Sequence, residues 1–367
     1  MHDRPWDLVV VGAGPGGSSA ARTAARRGLR VLLVDGKPFP RLKPCAGGIS
    51  PRARRIFQRA GLWEKVAQRS YELAGIRLGG PSGRETVLVG AGSAVVLDRP
   101  RLDALLAAEA VAAGATFHDG RRVLGPLLEH GRAVGVRVAG EDLLARWVVA
   151  ADGANTRFST DPRPRHLLHS CMAWFEEFPF RPHVVEMFFD ADLAPHYGWL
   201  FPEAPDRVNI GICVEADRHS GTPIREVFRR FLDRHYAAQL PAAHQLGEWR
   251  GHPLVVTDRI EHHAAPNVLL VGEACRLVNP ATGEGISYAM ESGELAADAV
   301  ADALQRGDDP LAVAKRYEKK LRWRIEPGLR GGEIFRRWGV ALIDPIVTLG
   351  NHPRFRRWAK QQPLEAL

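Results

Sequence analysis

The sequence predicts an α/β protein in which a parallel-sheet domain is interrupted by an antiparallel sheet domain and followed by a helical segment. Three observations carry that prediction. Residues 6–35 run strand, glycine-rich turn, alanine-rich helix, strand. Residues 166–258 change to aromatics, prolines and alternating apolar patterns, and from Glu291 onward the pattern is helical. The chain has 367 residues, 45% hydrophobic and 25% charged, enough for two domains or one large interleaved one. That composition excludes a disordered chain, a collagen and a disulfide miniprotein, and no fixed-period repeat is present.

Taken in order, Leu8-Val-Val-Val11 reads as a buried strand, Gly12-Ala-Gly14-Pro-Gly16-Gly17 as a turn, and the stretch to Arg27 as a helix. Gly28 sits where a helix end needs a left-handed residue, and Val31–Val34 is the second strand. Pro51 opens a helix over 51–69, and 71–97 reads as strands around a turn at Gly79–Gly83. Gly90-Ala-Gly92-Ser resembles another glycine turn, but strand-like Ala94–Leu97 follows it, so it reads as a hairpin and not as a second phosphate loop. A helix over Arg101–Ala113 ends at Gly114, with short strands near 134–139 and 146–151. Val184–Phe189 and Val208–Val214 are strands of the second domain, and Asn267–Val271 returns to α/β texture. The expected division is 1–70, 98–160 and 260–305 for the first domain, 71–97 and 161–259 for the second, and 306–367 for a basic helical segment.

The net charge of +8 is local: from Lys315 onward there are thirteen Lys and Arg against five Asp and Glu. No recognised nucleic-acid module carries that charge, so no nucleic-acid partner is expected. The segment reads either as a solvated helical cap or as a surface drawn to anionic membranes. In the second case Arg336, Arg337, Arg354, Arg356, Arg357 and Lys360 would face the lipid, with Trp338 and Trp358 between them. Cys45, Cys171, Cys213 and Cys275 lack C-x-x-C spacing, so neither a zinc site nor a disulfide framework is expected, and a reducing cytoplasm fits. The first strand pattern starts at Trp6, which leaves no room for a secretory signal, and no apolar run reaches membrane-spanning length. The histidine pairs lack metal-site spacing, so no metal is expected; G-x-S-x-G and P-loop patterns are absent.

The chemistry lies in the glycines. In Gly12-x-Gly14-x-x-Gly17 the first makes the tight turn, the second admits a pyrophosphate and the third lets helix and strand pack closely. Asp35, at the end of the second strand, can accept from both hydroxyls of an adenosine ribose and disfavours a 2′-phosphate, so FAD or NAD is preferred over NADP. Two later segments favour FAD. Val148–Ala151 is a buried strand ending in Asp152-Gly153, where a carboxylate reaches a sugar or ribityl hydroxyl. Gly283-Glu-Gly285 opens a helix at Ile286, whose backbone N–H groups suit the flavin edge that gains negative charge on reduction. The first domain is therefore a Rossmann-like FAD-binding domain.

Together, Gly12-x-Gly14-x-x-Gly17, Lys43-Pro-Cys45-Ala46-Gly47-Gly48, Leu97-Asp-Arg99-x-x-Leu-Asp103, Ala151-Asp152-Gly153, Tyr197-Gly-Trp199-Leu-Phe201-Pro202, Gly272-Glu273 and Gly283-Glu-Gly285-Ile286 resemble the geranylgeranyl reductase family of flavoproteins. That family sits within the aromatic-hydroxylase-like and flavin-dependent halogenase group. The resemblance implies that Gly12, Gly14, Gly17 and Asp35 hold the AMP half of noncovalent FAD, and that Arg99, Gly272 and Glu273 contact its pyrophosphate and ribityl parts. The loop with Lys43, Ala46 and Gly47 would lie beside the isoalloxazine. Cys45 would tune substrate position or donate a proton, and Tyr197, Trp199 and Phe201 would line the substrate cavity. Two departures stand out: Ala46 where the family usually has glycine, and Glu273 where it usually has aspartate.

The activity implied is reduction of C=C bonds of an isoprenoid-like or other apolar small molecule or lipid by hydride transfer from flavin. An external donor, NAD(P)H or a reduced redox protein, would reduce the flavin. The alternatives are a flavin-dependent monooxygenase or halogenase, and a flavin-binding redox sensor without turnover.

Overall fold

The computed structural model describes residues 5–216 and 221–361. In chain order its elements are β1 (Trp6–Val11), α1 (Pro15–Arg26), β2 (Val31–Val34), β3 (Gly48–Ile49), α2 (Pro51–Arg59), α3 (Trp63–Ala67), β4 (Tyr71–Gly79), β5 (Glu85–Val96), α4 (Arg99–Ala112), β6 (Thr116–His118), β7 (Val123–Glu129), β8 (Arg132–Val138) and β9 (Glu141–Ala150). There follow β10 (His166–Glu176), β11 (Val184–Phe188), β12 (Gly198–Ala204), β13 (Arg207–Glu215), α5 (Ile224–Tyr236), β14 (His244–Val256), β15 (Val268–Leu270), α6 (Ile286–Arg306), α7 (Pro310–Arg324), α8 (Glu326–Trp338), α9 (Val340–Gly350) and α10 (Pro353–Ala359).

The elements form two compact units, each made of three stretches of chain: 1–42, 100–166 and 255–331 in the first, 43–99, 167–254 and 332–367 in the second. Residues 43–70, grouped with the nucleotide-binding half in the sequence reading, fall in the second unit. The basic tail divides between the two.

In the first unit the strand order is β6-β2-β1-β9-β8-β7, with β15 also on β9. β1 pairs in parallel with β2 and β9, and β15 pairs in parallel with β9. Leu8, Val9, Val10, Leu33 and Val34 are sealed from solvent, as expected of parallel strands covered on both faces. The N-terminal helix, α1, packs on α6 through small residues: a Cβ on Gly293 would run into the Gly16 carbonyl oxygen. Close approach of these two helices fixes the end of α1 over β1, where the glycine turn lies.

The second unit is an eight-stranded sheet, β14-β10-β13-β12-β11-β4-β5-β3. It is mixed, because β11 runs parallel to β4. The sequence did not announce α5, whose Phe228, Phe231, Leu232 and Tyr236 cover one sheet face with Leu200, Ile210 and Ile212. The segment at Gly90 is not a hairpin. β5 runs through it, with Val89 opposite Gly75 and Ala94 opposite Leu73, so the extra residues are absorbed as a bulge in one continuous strand.

The tail also departs from expectation. Arg336 is partly buried and bonds both Glu333 carboxylate oxygens, at 2.8 Å each, and also pairs with Glu215; Arg337 bonds Glu333 at 2.6 Å. These two cations are neutralised within the unit and drop out of the predicted charged face. Their partner Glu333 lies three and four residues earlier, the spacing that puts side chains together on a helix.

Candidate functional site

In the first unit the glycine turn is built against the ends of β9 and β2. Gly12 has φ +97°, a conformation glycine adopts freely, and a Cβ there would collide with the Ala151 carbonyl oxygen. At Gly17 a Cβ would collide with the Gly12 carbonyl oxygen. Gly14 caps α1 in an extended conformation, φ −73° and ψ −175°, open to any residue, so whatever requires glycine there is not backbone strain.

Asp35 is buried and braces the turn. Its Oδ2 accepts from the Ala13 N–H at 2.9 Å and from Arg41 Nε at 3.2 Å, and its Oδ1 accepts from the Lys37 N–H at 3.0 Å. A carboxylate has about four acceptor positions, so with three taken one remains for a ligand hydroxyl, not the two that the sequence alone would allow. Arg41 also reaches the fully buried Asp103 at 3.0 Å. Two carboxylates thus share one guanidinium. Neither Arg41 nor Asp103 was picked out as paired by the sequence; the only signal was the second acid of the Leu97–Asp103 motif.

Beside the turn lies Asp152. Its Oδ2 accepts from the Arg157 N–H at 3.2 Å, while Oδ1 is sealed from solvent and has no hydrogen-bond partner among the described residues. Burial raises its carboxyl pKa against the opposing effect of the Thr156 hydroxyl and Arg157 N–H. A buried acceptor without a partner among the described residues, next to a turn with no room for a Cβ at Gly12 or Gly17, fits the hydroxyl of a dinucleotide cofactor. The residues present therefore suit FAD.

The third segment expected to meet a cofactor, from Gly272 to Ile286, is ordered by its own hydrogen bonds. The Gly272 N–H donates to Ser292 Oγ at 2.9 Å, and Glu273 Oε1 accepts from the Val255 N–H at 3.2 Å. The side chain of Asn279 folds the turn before α6, its Oδ1 accepting from the N–H groups of Ala281 and Thr282 at 3.0 and 3.1 Å. Gly283 has φ +65°, Gly285 caps α6, and the helix starts at Ile286 as predicted. Glu284 takes the Ser287 N–H at 2.8 Å, so one first-turn donor of α6 is already satisfied by a carboxylate.

In the second unit, the loop from Lys43 to Gly48 and the aromatic strand β12 come together. Gly47, with φ +74°, is the left-handed residue, and a Cβ there would lie 2.6 Å from the Leu97 carbonyl oxygen. Ala46 is not among the positive-φ residues, so the departure from glycine costs this loop nothing. The Gly47 N–H donates to Cys45 Sγ at 3.4 Å, and Arg99 is buried at the start of α4. Trp199 and Phe201 point to the sheet face opposite α5, since the intervening Leu200 packs under that helix. Phe201 lies against Gly48, where a Cβ would come within 2.7 Å of its ring. Tyr197 and Trp199 meet edge-on at 6.1 Å, and Trp199 Nε1 donates to the buried Asn209 Oδ1 at 2.8 Å. Burial, then the nearby thiols of Cys213 and Cys45, pushes the Tyr197 phenol well above its ordinary pKa, so it keeps its proton at neutral pH.

Comparison with known proteins gives an FAD-binding family and fold. The model of the FAD binding domain family matches residues 6–326. A digeranylgeranylglycerophospholipid reductase of Methanothrix thermoacetophila is 34% identical over 344 residues, 88% of this chain and 84% of that protein. A menaquinone reductase of Mycobacterium tuberculosis is 33% identical over 94% of this chain and 85% of its own length. The crystal structure of a geranylgeranyl bacteriochlorophyll reductase-like protein from Thermoplasma acidophilum superposes with a TM-score of 0.83 at 26% identity, over 97% of this chain and 96% of that one.

Proposed function

Because the chain belongs to the geranylgeranyl reductase family of FAD-dependent oxidoreductases, we propose that it saturates C=C bonds in the isoprenoid chain of a lipid. The observation that carries this reading is the apolar face of buried Trp199 and partly buried Tyr197 and Phe201 against the Cys45–Gly48 loop, in a chain whose relatives are named for isoprenoid phospholipid and quinone reduction. Such a face binds a hydrocarbon chain and has little to offer a polar substrate.

Gly12, Gly14, Gly17, Asp35, Asp152, Gly272, Glu273 and the turn from Gly283 to Ile286 hold FAD, with Lys43, Ala46, Gly47 and Arg99 assigned to its remaining contacts. When bound and reduced, FAD supplies the hydride. An external donor, NAD(P)H or a reduced redox protein, supplies the electrons. Arg41 holds Asp35 in place, and the aromatic face excludes water and orients the alkene. Tyr197 keeps its Oη–H, and Cys45, partly exposed, is the group assigned to deliver a proton to the carbon skeleton. The protein acts in the cytoplasm at a membrane surface, where such lipids reside.

The test is anaerobic turnover of a geranylgeranyl lipid by chemically reduced enzyme, read by mass spectrometry. A gain of two hydrogens per double bond is expected. Incorporation of labelled oxygen or halide, or no product with any prenyl lipid, overturns the proposal.

A further inference from the structure

The last three helices carry an apolar surface that the fold does not use. Across Gly339, itself helical at φ −65° and ψ −35°, α8 leads directly into α9. One stripe of this pair faces inward: Ile343 and Val347 are buried with Phe189, and Gly350 sits against Thr86. The opposite stripe faces solvent. Ile334, Trp338, Leu342, Ile346 and Leu349 recur at steps of three and four residues and are 37–69% exposed. A helix apolar on both sides is normally buried on both, so the outer stripe lacks its partner.

Charge identifies the partner. From Ile334 to Gln361 the only acid is Asp344, and its carboxylate is bound to the N–H and hydroxyl of Ser82. The short α10 turns back on α9, with Arg356 Nε donating to the Gly350 carbonyl at 3.0 Å. It displays Arg354, Arg357, Trp358 and Lys360 to solvent. Among the described residues no carboxylate pairs with these three cations. Leucine and isoleucine in a stripe, exposed tryptophans at Trp338 within it and Trp358 on α10, and cations beside it match a lipid interface, where apolar groups enter the acyl boundary, indoles sit at headgroup depth and cations meet phosphates. The eleven residues of α9 span about 16 Å, half of a bilayer's hydrocarbon thickness of about 30 Å, so the helix can lie in a membrane surface but not cross it. No helix among the described residues is long and apolar enough to cross a membrane.

We propose that the outer stripe of α8 and α9, with the cations of α10, seats the protein in an anionic lipid surface. This deepens the lipid-reductase reading by naming the surface at which the lipid is met. The seat differs from the face expected from sequence, six cations with Trp338 and Trp358 between them: Arg336 and Arg337 are spent on Glu333, and Leu342, Ile346 and Leu349 provide the anchor.

The experiment uses the FAD-loaded full chain and sedimentation with vesicles of equimolar phosphatidylcholine and phosphatidylglycerol, without substrate. Binding is expected, and it should weaken with salt. The variant R354Q/R357Q/K360Q should bind about a hundredfold more weakly, at about fivefold per cation lost. The variant L342S/I346S/L349S should lose at least about tenfold, with melting temperature and flavin spectrum unchanged because these side chains are exposed. Absence of wild-type binding, or unaltered binding by both variants, overturns the proposal. So does a concentration-dependent dimer in sedimentation equilibrium that the serine variant dissolves, since the stripe is then covered by a second copy. Because vesicle binding is read without turnover, its failure is separate from failure to reduce a detergent-dispersed prenyl lipid.

Discussion

Asp152 affects folding and cofactor binding in opposite directions. Its Oδ1 is a buried acceptor without a hydrogen-bond partner among the described residues, and burial holds the carboxyl pKa above its ordinary value of 3.8. A folded pKa above the unfolded one means that the stabilising contribution is present below about pH 4 and is lost as pH rises through the folded value. At neutral pH the anion is therefore a burden. The substitution Asp152→Asn keeps an oxygen for the Arg157 N–H and removes the charge. An unmade buried hydrogen bond costs about 1–3 kcal/mol, more for a charged group, and exchanging anion for amide should recover about 1 kcal/mol, a rise of about 2 °C in apoprotein melting temperature at pH 7. FAD reverses the sign. A cofactor hydroxyl donating to Oδ1 makes a charge-assisted bond worth about 1.5–3 kcal/mol, so the variant should bind FAD about 10–100-fold more weakly. Thermal melts of apoprotein from pH 4 to 8 and titration of FAD by flavin fluorescence measure both. A variant apoprotein that melts lower than wild type, or one that binds FAD as tightly, refutes the assignment of Oδ1 to a cofactor hydroxyl.

Gly14→Leu should yield a folded protein that retains no FAD, because the extended backbone there accepts any residue, whereas Gly17→Leu should unfold the first unit; circular dichroism with flavin absorbance separates them. His262, whose Nε2 accepts the Leu270 N–H at 3.1 Å, is held neutral by burial with its pKa lowered to about 4. Its contribution is present above about pH 6.5 and is lost as pH falls toward 4, so His262→Gln should flatten acid destabilisation in that window by about 2–3 kcal/mol, read by urea unfolding. Trp199→Phe leaves Asn209 Oδ1 without its donor and should cost about 1–3 kcal/mol of stability in the same assay, with FAD affinity unchanged.

The βαβ start was legible because its strands are buried on both faces and therefore written as unbroken apolar runs, with Gly28 in the left-handed conformation its position predicts. The cofactor glycines were legible for the same reason: a turn that no side chain can enter leaves a mark in the sequence. The strand β6, with three residues, is too short to show a period, and α5 was hidden by the strands around it although Phe228, Phe231 and Leu232 have helical spacing. At Gly90 a local rule favoured a turn, and pairing of β5 with an unbroken β4 overrode it. The Arg41 bridge from Asp35 to Asp103 joins residues 68 apart in the chain, and no single-sequence pattern encodes such a contact. The apolar stripe of α9 was visible as composition, but only the packed face distinguishes which leucines remain outside.

The interleaving of the two units also governs how the chain can be made. β1 pairs with β9, which ends 139 residues further along, and β9 waits in turn for β15. At roughly 5–20 residues per second, on the order of ten seconds separates emergence of the first strand from that of its later neighbour. Throughout that time Leu8–Val11 and Val31–Val34 are apolar strands without a finished sheet. The stretch 332–367, which belongs to the second unit, is synthesised after every other stretch of both units. A stalled ribosome or a clone cut at the boundary after Arg99, His166 or Leu254 therefore releases two incomplete cores, and holding such an intermediate in solution is work for a chaperone.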